Sequence, residues 1–123
     1  MTMFRVTLVL VGKLIHVAGA SAGSCHADPD RIAAAMAVVV ASYKCSGFEH
    51  ALFGKPLDIF IGKSGIIDQS TGACERERAL ATSAATDQML AGREAFCTEI
   101  AARLASDPIL AQALAASGAR YTP

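Results

Sequence analysis

The sequence holds no tryptophan and no asparagine, and aromatic residues fill only 6% of its 123 positions. Without asparagine there is no N-x-[ST] glycosylation acceptor, and no such side chain to serve catalysis or read a base edge. Charge of one sign is not in excess either: 11 Lys and Arg stand against 11 Asp and Glu. A protein built around phosphate contacts needs a basic stripe, so nucleic acid is not an expected partner. Charged residues at 18% and apolar residues at 53% exclude a disordered chain. The longest apolar stretch, at the N-terminus, falls short of the roughly 20 residues a bilayer span requires. Alanine supplies 25 residues, and this length allows one small domain.

That N-terminal stretch reads as an export leader over residues 1–22. Arg5 closes a short basic region, Val6 to Gly12 is an uncharged and mainly apolar run, and Ala20-Ser21-Ala22 forms an A-x-A cleavage site before Gly23. Lys13 and His16 interrupt the apolar region. A buried strand over Phe4–Val11 and an uncleaved anchor are the competing readings. Ala22-Gly23-Ser24-Cys25 has a faint likeness to a lipidation box, but Ala22 stands where leucine is usual, and lipidation would leave three cysteines. Cleavage after Ala22 removes Arg5 and Lys13, leaving 9 positive against 11 negative residues, a charge of −2. Beyond the export signal, such a domain has no electrostatic reason to meet an anionic membrane.

All four cysteines, Cys25, Cys45, Cys74 and Cys97, follow the proposed cleavage site. An even count in a small exported domain predicts two disulfides and a periplasmic or secreted location. No pair has C-x-x-C spacing, which argues against a thioredoxin-like site or a zinc knuckle. Asp28-Pro29 is an N-cap followed by proline at the first helical position, and Ile32, Met36, Val39, Val40 and Tyr43 then make one apolar stripe toward Gly47. About 15 helical residues hold their ends roughly 22 Å apart. A disulfide spans only about 4.4–6.8 Å between Cα atoms. Cys25–Cys45 is therefore disfavoured, and Cys74–Cys97 is too if the chain between them is helical. Antiparallel helices predict Cys25–Cys97 with Cys45–Cys74, the preferred pairing. Parallel helices predict Cys25–Cys74 with Cys45–Cys97.

The fold expected is all-α: a disulfide-clasped antiparallel hairpin of helices at about 28–44 and 74–105, within a single domain of residues 23–123. Thr82-Ser83 and Thr86-Asp87 are the weak points of the second helix. Met89, Leu90, Phe96, Cys97, Ile100, Ala101 and Leu104 form its apolar face. Asp107-Pro108 repeats the Asp28-Pro29 device and opens a last helix that Gly118 ends, leaving 120–123 as a frayed tail. The crossover over 46–73 carries five of the ten glycines and three phenylalanines, Phe48, Phe53 and Phe60. It reads as a short helix or an irregular loop, with a hairpin at 57–67 as the rival.

No constellation demands an enzyme. Gly62-Lys63-Ser64 fails as a phosphate loop because Leu57 stands where glycine must let the backbone wrap the phosphate. It fails as a nucleophile elbow because Ile66 replaces the second glycine. Glu49 and His50 are adjacent and point in different directions, and a solvated pair is the simpler reading. The spacing of Cys25, His26, Cys45 and His50 matches no zinc pattern, and disulfides would consume the thiolates. Glu75-Arg76-Glu77-Arg78 reads as a solvated helix face. No cofactor or metal is expected. What remains is a non-catalytic exported module that binds a protein or a small apolar ligand, with Phe48, Phe53 and Phe60 as the candidate contact surface. The alternatives are a small hydrolase using His50 and Ser64, and a periplasmic stress protein of the holdase type.

Overall fold

A computed structural model of the chain describes residues 25–66 and 74–123. The proposed leader and its cleavage site lie outside the described residues. Five helices follow one another: α1 (Pro29–Lys44), α2 (Gly54–Lys63), α3 (Glu75–Ala91), α4 (Arg93–Ser106) and α5 (Pro108–Ser117). The all-helical, disulfide-clasped small domain expected from the sequence is the one observed, and no strand occurs among the described residues.

The two Asp-Pro helix starts behave as their chemistry dictates. Asp28 Oδ1 accepts the Asp30 N–H at 2.9 Å, and Asp107 Oδ1 accepts the Leu110 N–H at 3.2 Å. Each satisfies a donor that a helix start otherwise leaves without a partner. α1 is buried on most of its circumference rather than along one stripe: Ala34, Ala35, Val38 and Ala41 join Ile32, Met36, Val39 and Val40 inside. It is the central helix, since a helix apolar all round needs cover on every side. Tyr43, expected in the stripe, is 53% exposed. Its hydroxyl donates to the Leu52 carbonyl at 2.9 Å.

Helix directions follow from what is tied at each end of α1. Cys25–Cys74 joins the starts of α1 and α3 with Cα atoms 4.8 Å apart, while Arg93 Nε, just past α3, donates to the Lys44 carbonyl at 2.7 Å. α3 therefore runs parallel to α1. Cys45–Cys97 then ties the start of α4 to the end of α1, and Asp107, just past α4, pairs with Arg31 in the first turn of α1 at 2.6 Å. α4 runs back, antiparallel. α2 descends from Leu52, beside Tyr43, to Ser64, whose carbonyl accepts from Arg31 at 2.9 Å. α5 rises again, so the chain goes up and down five times between the same two ends. α1 packs most extensively on α3, α2 packs most extensively on α5, and the α4–α5 contact joins the two sets.

This corrects the preferred disulfide pairing. The stretch 74–105 is not one helix but two, broken at Gly92. That residue's N–H closes the last turn of α3 on Gln88, and its carbonyl opens α4 by accepting from Phe96. The antiparallel partner of α1 is α4, whereas Cys74 begins the parallel α3. Cys25–Cys74 and Cys45–Cys97 are the bonds that result, with sulfurs 2.03 and 2.10 Å apart. The threonines expected to mark a break instead bond back into the helix, Thr82 to the Arg78 carbonyl and Thr86 to the Thr82 carbonyl. Breaking at Gly92 also resets the helical phase, and Leu90, assigned to the apolar face, is 73% exposed. With the Sγ of Cys25 bonded to Cys74, no thiol is left there for a lipid thioether.

The C-terminal tail is not frayed. Thr122 N–H donates to the Gly47 carbonyl at 2.8 Å, Glu49 N–H donates to the Arg120 carbonyl at 2.8 Å, and the Phe48 and Tyr121 rings sit 4.7 Å apart. Ala119 is completely buried. Gly47 has φ +99°, and a Cβ there would stand 2.7 Å from both the Thr122 oxygen and the Tyr121 ring. Only glycine lets the tail come so close.

Candidate functional site

The tail walls an apolar groove on the described surface. α4 contributes Ala101, Leu104 and Ala105, and α5 contributes Ala111, Leu114 and Ala115. Both sets follow the i, i+3, i+4 rule that places side chains on one helix face. The two helices meet at Asp107, and four of the six side chains are alanines, so a groove of about 450 Å³ opens between them. Arg120, Tyr121, Thr122 and Pro123 close one wall. The volume lies in the range of small-molecule sites.

The meeting point of α4 and α5 is fixed electrostatically. Burial pushes the Asp107 carboxyl up, but hydrogen bonds from Arg31 and Leu110, the Arg31 charge, and the Ile109 N–H together outweigh it and hold the group below its ordinary value. Arg31 thereby ties α1, the Ser64 carbonyl after α2, and the start of α5. Nothing in the sequence reading singled out Arg31. The available signal was its place in the first turn of a helix, where a cation opposes the macrodipole and needs an outside partner.

No family model, curated protein or solved structure matches this chain. His50 and Ser64 are not brought together: His50 is exposed near the start of α2, whereas Ser64 lies past its far end, fully buried, its hydroxyl donating to the Ile61 carbonyl at 2.9 Å. Among the described residues no group of three His, Cys, Asp or Glu is placed to hold a metal ion, and no helix is long and apolar enough to cross a membrane.

The three phenylalanines separate. Phe60 is completely buried in the common core, so it docks on the helices and offers no contact surface. Phe48 is spent on Tyr121, and only Phe53, 65% exposed, faces solvent. The groove itself was missed because it depends on the tail returning to Gly47.

Proposed function

We propose that this chain is a non-catalytic, exported helical module that binds a small apolar ligand in the groove between α4 and α5. The groove carries the reading: alanines on facing helices leave space where larger side chains would have filled it, and the tail walls it. Its volume of about 450 Å³ suits a small molecule. The leader pattern and two disulfides support export to an oxidising compartment, either the periplasm or the extracellular medium.

Two measurements test it. Titration of the mature protein with a neutral fluorescent naphthylamine probe should give saturable, one-site binding. Ala115→Trp, at an exposed lining position, should abolish that binding with the thermal midpoint unchanged. Equal binding by the filled variant would remove the groove as the site. Intact mass of the exported product should show loss of residues 1–22 and of four hydrogens.

A further inference from the structure

The two disulfides differ in what surrounds them. Cys74 is completely buried and Cys25 half-buried, so Cys25–Cys74 has one sulfur deep inside and a leaving thiolate there would be shut away from water. Cys45 and Cys97 are both half-buried and line an open cleft of about 650 Å³ where the end of α1 meets α4. Two cations, Lys44 and Arg93, share that cleft with one carboxylate, Glu94. Arg93 is fixed there by its bond to the Lys44 carbonyl, and it precedes Cys97 by four residues on α4, which puts the two on one helix face.

We propose that Cys45–Cys97 is a thiol–disulfide exchange site for a dithiol partner that enters this cleft, while Cys25–Cys74 is a permanent brace. An incoming thiolate is an anion, and Lys44 and Arg93 favour its approach. It attacks the Sγ of Cys45, which lies on extended backbone beyond α1. The Cys45–Cys97 bond breaks as the Cys45–partner bond forms, and the electron pair leaves on the Cys97 sulfur. The Arg93 guanidinium one turn away stabilises that leaving thiolate, and a better-stabilised thiolate leaves faster. The partner's second thiol then attacks its own mixed-disulfide sulfur, releasing Cys45. In sum the chain gains two electrons and two protons, and the dithiol loses them to become a disulfide. Ala101 and Tyr121 line both this cleft and the apolar groove.

The test uses the intact protein and dithiothreitol as the dithiol, with N-ethylmaleimide quenching over time and peptide mass analysis. Cys45 and Cys97 should be labelled at least about tenfold faster than Cys25 and Cys74. Urea above the unfolding midpoint should remove that difference, whereas urea well below the midpoint should leave the fast rate unchanged. Lys44→Glu should slow the fast rate several-fold at an unaltered thermal midpoint. Simultaneous reduction of both bonds, prior reduction of Cys25–Cys74, or a fast rate that climbs with sub-denaturing urea would each overturn the proposal. A Lys44→Glu rate equal to wild type would do the same.

Discussion

At the scale of single residues, three positions hold contacts that no neighbour can replace. Ser42 is buried, and its hydroxyl donates to the Val39 carbonyl while accepting the Leu52 N–H at 2.9 Å. Ser42→Ala strands that N–H inside the protein, and the chemical-denaturation free energy should fall by about 1–3 kcal/mol. Gly47→Ala meets both a left-handed backbone and the tail's oxygen and ring. A loss of about 1–3 kcal/mol is expected, together with faster hydrogen exchange at Thr122 N–H. Asp107→Asn keeps an acceptor for the Leu110 N–H but leaves Arg31 without its counter-charge, for a loss of about 2 kcal/mol at neutral pH. Because the folded carboxyl sits below its unfolded value, 3.8, the pair's contribution is complete above that value and fades as pH falls through the lowered one. The stability gap between wild type and Asp107→Asn should therefore shrink below pH 3.8. The cap Asp107, like Asp28, was legible in the sequence because capping is local. The Arg31 contacts and the tail's approach to Gly47 join residues 33 to 76 positions apart, and no periodicity records such meetings.

Among the elements, the Asp-Pro starts placed α1 and α5 nearly to the residue. The long second helix was misread because its good helix formers continue through Leu90, while the one residue that divides it is a lone glycine. Gly92 spans α3 and α4 alone, so a single extended residue reverses the chain. That reversal decides the disulfide pairing, since it puts Cys74 and Cys97 on helices of opposite direction. Both candidate pairings were derived from helix geometry, and the choice between them rested on laying the two long helices antiparallel. The groove was illegible for a related reason: alanine spacing on α4 and α5 is visible in the sequence, but their mutual approach is set by Asp107 and Arg31. Replacing Ala111 or Ala105 with leucine should shrink the groove and weaken naphthylamine binding in proportion to the volume added, a trend that fluorescence titration measures directly.

For the molecule as a whole, a core rich in alanine gains less from burial than one of leucine and phenylalanine, because each alanine removes few methylenes from water. Cross-links compensate. The bonds close segments of 49 and 52 residues, and restricting loops of that length destabilises the unfolded chain by about 4 kcal/mol each in the chain-entropy account. The Cys25→Ser/Cys74→Ser double variant should lose most of that amount, read as a lower denaturant midpoint. The order of the bonded cysteines along the chain adds a topological property. Cys45 lies within the first closed segment and Cys97 beyond it, so the two rings interlace. A protease that severs one peptide bond anywhere between residues 25 and 97 cannot release a fragment, because at least one sulfur bridge always spans the cut. Nicked molecules should migrate as one band on a denaturing gel and split only when a reductant is added.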